Sequence, residues 1–227
     1  MISTWLFYLI LPMILGVWAQ AKVSSAFRKY SQIRATSGLT GAQAAQEIMD
    51  AAQIRDVQIV QINGVLGDHY DPTRKRLCLS TETYNSPSIA AVGIAAHETG
   101  HAIQHARAYA PLQWRMTVVP ATAIASRILP FVLFGGLFFP MFGYRLIEIG
   151  VLCYGVLALF QLITLPVEYD ASRRAKVVLG QLGIIQPGAE TDGVNAVLDA
   201  AALTYVAAFV AALGNLLWLL SIANRRR

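Results

Sequence analysis

Long uncharged runs alternate with two polar stretches along this chain. Residues 2 to 21 carry no charged side chain, and twenty residues suffice to cross a hydrocarbon core of about 30 Å. The run from Thr117 to Gly143 has Arg127 as its one charge, and Ile149 to Pro166 has none. These predict a second and a third span joined by a short loop at Tyr144 and Arg145. Pro120, Pro130 and Arg127 imply that the second begins as an interfacial or kinked segment. Ala200 to Ala223 predicts a fourth span.

Residues 22 to 115 and 167 to 199 are polar by contrast. Thr40, followed by Ala44, Ala45, Ile48 and Ala52 at helical spacing, predicts a capped helix over residues 41 to 52. Val57 to Ile62 alternates as a strand does. Beyond the turn residues Asn63-Gly64 and Gly67-Asp68, the stretch Lys75 to Ser80 reads as a second strand. Ser86-Pro87 marks a helix start, and the alanine-rich run behind it predicts helix to about Ala108. The expected architecture is a mainly α membrane protein with about four transmembrane helices and a small α+β soluble domain. It divides into an anchor (1–21), the soluble domain (22–115), a helical hairpin (116–166), a polar segment (167–199) and a final span with a basic tail (200–227).

Composition agrees with lipid as the solvent, since 56% of residues are hydrophobic and 14% charged, far from soluble averages. The net charge of +5 sits largely beside the spans, at Lys22, Arg28, Lys29 and Arg225 to Arg227, which points to membrane orientation and not to nucleic acid. No basic residue precedes the first apolar run, so an uncleaved anchor is expected in place of a signal peptide. Thirteen of the eighteen lysines and arginines fall in the two polar stretches. The positive-inside rule puts those stretches in the cytoplasm, with the terminal arginines pulling the other way. Cys78 and Cys153 belong to very different environments and are expected as free thiols.

The candidate chemistry lies at His97-Glu98-Thr99-Gly100-His101. On a helix, His97 and His101 project from one face a turn apart, so two imidazole nitrogens can reach one zinc ion. Glu98 is displaced sideways, where a carboxylate takes a proton from water activated by the ion without ligating it. A third ligand is needed. His105 stands roughly 12 Å from His97 along a helix axis rising about 1.5 Å per residue, too far to share the ion. It is then a cleft residue, a partner of a ligand, or a surface histidine. His69, in Asp68-His69-Tyr70-Asp71-Pro72, is a weaker ligand candidate, a group that polarises the scissile carbonyl, or a plain turn residue.

The His97 motif, the Asp68 to Pro72 turn and the later stretch Pro166-Val167-Glu168-Tyr169-Asp170-Ala171-Ser172-Arg173-Arg174, separated from the first two by a membrane hairpin, together resemble the neutral zinc metallopeptidases of the bacterial YugP type. The resemblance runs from the first span to the last. A more distant similarity is to membrane peptidases of the HtpX type, where a glutamate on a later helix completes a His-His-Glu site. It implies a zincin-like soluble domain, zinc held by His97, His101 and Glu168, and Glu98 as general base. In those relatives the glutamate begins a Glu-x-x-x-Asp pattern whose aspartate supports a zinc histidine. Here the fourth residue after Glu168 is Ser172, so Asp170 is left either supporting a ligand or pairing with Arg173 or Arg174.

The function expected is hydrolysis of peptide or protein substrates, unfolded or close to the membrane, by a bacterial inner-membrane enzyme. An extended substrate would pair with a strand edge near Leu77 to Ser80. A non-proteolytic zinc hydrolase and a structural membrane subunit are the alternatives, and an intact Glu98 speaks against the latter.

Overall fold

A computed structural model describes residues 2–64, 67–138 and 143–225. In chain order its elements are α1 (Ile2–Tyr30), α2 (Gly41–Ala51), β1 (Gln58–Ile62), β2 (His69–Asp71), β3 (Arg76–Ser80), α3 (Thr81–Asn85), α4 (Ile89–Ala106), α5 (Ala110–Phe138), α6 (Gly143–Gln181) and α7 (Ala189–Arg225).

Among the described residues, α1, α6 and α7 are long and apolar enough to cross a membrane. Their outward faces carry Met13, Val17, Leu152, Leu162 and Leu217 without cover, a surface that lipid solvates and water does not. Where α1 meets α7, Gly214 lets the two helices come close, as small residues do between helices in lipid. A Cβ on Gly214 would lie 2.9 Å from the Tyr8 carbonyl oxygen. Helix α5 continues unbroken through Pro120, Arg127 and Pro130 and exposes Ile124, Phe131, Phe134 and Phe138.

Two expected boundaries fall inside continuous helices. α1 runs past residue 21 to Tyr30, and α6 runs through Pro166 to Gln181. The polar segment expected from residue 167 is therefore the end of α6 and the start of α7. The turn between them has Gly183 and Gly188 at φ of 65° and 95°, values that suit glycine. Proline inside a helix costs about 3 kcal/mol. The helix persists because Val167, Ala171, Ala175 and Leu179 bury a stripe at helical spacing directly beyond it. Tyr144 and Arg145 are helical too, so the expected loop does not include them. Residues 139–142, at the end of the expected second span, lie outside the described residues, as do Arg226 and Arg227.

The soluble part follows the predicted elements more closely. Thr40 and Gln43 form a reciprocal capping box at the start of α2, and the buried Ala44, Ala45, Ile48 and Met49 face the core. The sheet order is β1-β3-β2, with β1 parallel and β2 antiparallel to β3. β3 is thus the central strand, with both edges paired. The edge expected at Leu77 to Ser80 is therefore not free: the edges of this sheet are β1 and β2, and β2 lies where the pattern predicts a turn. The Asp68 carboxylate takes Ser80 N–H at 2.8 Å and the Ser80 hydroxyl at 3.1 Å, closing the sheet at its end.

Helix α4 begins later than Ser86-Pro87. The Pro87 carbonyl accepts from Ala35 and Ile89 N–H donates to Ile33, so this segment is held extended as a bridge, and Ser88 caps the helix. Ile89, Val92, Ile103, Leu179, Val194 and Leu198 then form a core shared by α4, α6 and α7. Cys78 and Cys153 are both free.

The α1–α7 contact yields a paired prediction. Gly214→Ala should lower the thermal midpoint in detergent, because its methyl meets backbone. Gly16→Ala, with nothing within 4 Å of its added carbon, should hold or raise it through helix propensity of about 1 kcal/mol. Equal midpoints would exclude this packing.

Candidate metal centre

The site begins where α4 and α6 cross. A Cβ on Gly100 would lie 2.7 Å from the Ala171 carbonyl oxygen, so only glycine admits this approach. Glu168, one turn before Ala171 on α6, is thereby brought against the histidine face of α4. Its Oε2 lies 3.2 Å from His97 Nε2 and 3.5 Å from His101 Nε2. One ligand atom from each of these three buried residues falls within 4.8 Å of the others.

The surrounding hydrogen bonds fit a cation at that point. His97 Nδ1 pairs with Ser172 Oγ at 3.1 Å, and His101 Nδ1 pairs with Gln104 Oε1 at 3.0 Å. Gln104 is fully buried, and its amide nitrogen donates to the Val167 carbonyl at 2.8 Å and to Asp170 Oδ2 at 2.9 Å. Its oxygen therefore faces His101 and can only accept. His101 must donate from Nδ1, which leaves the neutral ring's Nε2 lone pair directed at Glu168 and His97. Two imidazole nitrogens and a carboxylate form a donor set that zinc takes. The other Glu168 oxygen accepts from Arg115 of α5 at 2.9 Å, which offsets part of the cost of burying the carboxylate.

Glu98 stands beside this cluster and accepts from Tyr70 N–H of β2 at 3.1 Å. Burial pushes its carboxyl above the usual range, against the pull of His97 and His101. Burial alone would lower His101, but the adjacent Glu168 carboxylate outweighs it and raises the imidazole. The Tyr70 hydroxyl pairs with His105 Nδ1 at 2.8 Å and is pushed up to about 12 by burial and by Asp56 and Asp71.

His105 thus holds β2 against α4, remote from the cluster. His69 is exposed, bonds the Gly67 carbonyl at 2.8 Å and lines the cavity without joining the three converging groups. Asp170 does both things left open for it: it pairs with Arg173 and Arg174 and reaches His101 through Gln104. Ser172, standing where the aspartate was expected, supports His97.

A cavity of about 390 Å³ opens on the cluster, walled by β2 on one side and by Leu112, Met116 and Val119 of α5 on the other. Four neighbours of the His97, His101 and Glu168 cluster are not marked as such by the sequence reading. Gln104 carried a signal, being an amide at the i+3 position from a candidate ligand in an apolar helix, and Ser172 carried one by its register with Glu168. Arg115 and Tyr205 come from distant helices, and no local pattern marks them.

This arrangement has a family counterpart. Residues 5–224 match the family described as "putative neutral zinc metallopeptidase", and the chain belongs to it. Zinc is accordingly its cofactor. The chain is 44% identical over 212 residues to "Putative membrane protease YugP" of Bacillus subtilis (strain 168), covering 93% of each. With that relative and three membrane-length apolar helices, it is a membrane protein of a zinc peptidase family whose substrates are peptides or proteins. No solved structure matches it.

If Gln104 sets the His101 tautomer, Gln104→Leu should weaken zinc about 10- to 100-fold in a chelator-competition titration, with helix content unchanged. Unaltered affinity would remove Gln104 from the site.

Proposed function

We propose that this protein is a zinc-dependent endopeptidase of the bacterial inner membrane, with its site on the cytoplasmic side. In this reading His97, His101 and Glu168 hold the ion and Glu98 is the general base. The observation that carries it is the convergence of three ligating groups from two helices beside a carboxylate that remains outside the set. A structural metal site has no use for such a neighbour.

When bound, zinc supplies Lewis acidity, which makes water nucleophilic near neutral pH and polarises a carbonyl. Glu98 removes one proton from the water as its oxygen adds to the peptide carbonyl carbon. The raised proton affinity that burial gives Glu98 lets it hold that proton and deliver it to the amide nitrogen as the C–N bond breaks. The proton left on the new carboxyl group passes to the departing amine, so the products are a carboxylate and an ammonium group. Ser172 and Gln104 hold the imidazoles in register, and Arg115 fixes the far oxygen of Glu168.

The outer edge of β2, where Tyr70 N–H is held by Glu98, is the edge at which an extended substrate would pair through its main chain, giving affinity with little demand on sequence. A sheet edge flanking the helix of the histidine pair supports a zincin-like reading of residues 22–115. Helix α5, with its apolar outer face, serves as the fourth span. Its Leu112, Met116 and Val119 carry that apolar character into the cavity wall, which supports substrates that are unfolded or close to the membrane. The bias of basic residues to the catalytic side supports its cytoplasmic placement.

Purified protein should carry about one zinc per chain. Glu168→Gln should lose most of it together with activity. Glu98→Gln should keep it while casein hydrolysis falls by several powers of ten. Normal hydrolysis by Glu98→Gln, or full zinc in Glu168→Gln, would contradict the assignment.

A further inference from the structure

The candidate centre lies between two cavities. A second, of about 330 Å³, shares Asp68, Glu98 and Tyr205 with the one described above. Pro72 and Thr73 beyond β2, with Leu112 and Arg115 of α5, line only the first. Val23 and Phe27 of α1, Ile94 of α4, and Val197 and Ala201 of α7 line only the second. A chain crossing the centre therefore has room on both sides of it.

Direction follows from β2. Its backbone runs from Asp68, on the shared rim, to Pro72 and Thr73 inside the first cavity. Tyr70 N–H donates to Glu98 and so faces away from β3, which marks the outer edge of β2 as the one an incoming strand would take, exchanging that bond for one to its own carbonyl. Antiparallel pairing is the more stable arrangement. A peptide laid antiparallel on β2 runs from the first cavity to the second. The residues before the cleaved bond then occupy the first, and the residue after it enters the second.

Away from the centre and Asp68, that second cavity has mostly apolar walls, with Gln20, Thr204 and Tyr205 as their neutral polar members. Val23 and Phe27 sit one turn apart on one face of α1, opposite Val197 and Ala201, and no lysine or arginine is among its described lining residues. Asp68 and Glu98 at its rim repel a carboxylate, and deeper in, between α1, α4 and α7, its lining holds no acidic group to pair with a basic side chain cut off from water. We infer that α1, beyond its apolar span, forms one wall of a specificity pocket for the residue following the cleaved bond. The substrates are polypeptides with a large apolar residue there. This rests on the peptidase reading above.

The experiment maps, by mass spectrometry, the bonds cut in denatured casein and in a proteome-derived peptide mixture by the full-length, zinc-loaded protein in detergent. Ala201→Leu and Phe27→Ala are run alongside, and zinc is measured in each. The wild type should enrich leucine, isoleucine, valine, methionine and phenylalanine after the cut. Ala201→Leu fills the pocket and should shift the preference towards glycine, alanine and serine on the order of tenfold. Phe27→Ala removes wall atoms and should shift it towards larger aromatic residues, a readout that survives should the filled variant fail to fold. A profile unmoved in the variants that fold, or a change confined to the residue before the cut, overturns the pocket and leaves the peptidase reading intact. A zinc-loaded wild type that cuts no more than Glu98→Gln overturns the peptidase reading and the pocket with it.

Discussion

Helices α4 and α6 meet backbone to backbone at Gly100 and Ala171, and the position of every group at the centre follows from how close they come. A glutamate side chain reaches only a few ångströms from its helix. Glu168 can touch both imidazoles because no side chain separates the two backbones one turn away. The closeness has an electrostatic cost, since it buries a carboxylate. Arg115 on one oxygen and two imidazoles on the other offset it, and a bound cation would offset it further. The apolar stripe of Val167, Ala171, Ala175 and Leu179 supplies the packing that keeps the crossing closed.

The same crossing ties the membrane part to the soluble part. α6 is one helix from its lipid-facing residues to Glu168, so the third candidate ligand is positioned by a span and not by a loop. α1, α5 and α7 add the walls of the two cavities and the Arg115 and Tyr205 side chains. The spans are therefore parts of the candidate site as well as its attachment to lipid. Only α4 and β2 come from the soluble part proper.

How much of this was legible in the sequence depends on whether a feature is local. The two strands, the Thr40 cap and the helix of His97 and His101 depend on residues within a turn or two of one another, and they were readable. The start of α4 was misjudged because Pro87 is a strong local signal, while its carbonyl and the Ile89 amide are engaged by residues near Ala35. Pro166 misled in the same way, since packing beyond it outweighs the local penalty. β2 spans three residues, too few for alternation to appear, and its strand character comes from pairing with β3. Glu168 was reached through resemblance to a family, and Ser172 in the aspartate's place cast doubt on the supporting network. The structure meets that need twice, with Ser172 on His97 and with Asp170 through Gln104 on His101.

In the proposed site a glutamate from a helix long and apolar enough to cross a membrane completes a two-histidine set. X-ray absorption at the zinc edge of the detergent-purified, zinc-loaded protein tests it most directly. The expected spectrum has two imidazole nitrogens at about 2.0–2.1 Å, with the remaining scatterers oxygen at about 2.0–2.2 Å. Glu168→Ala, short of one ligand, would hold too little zinc through the same purification to give that signal. A third imidazole, from His69 or His105, or a sulfur near 2.3 Å, would contradict it.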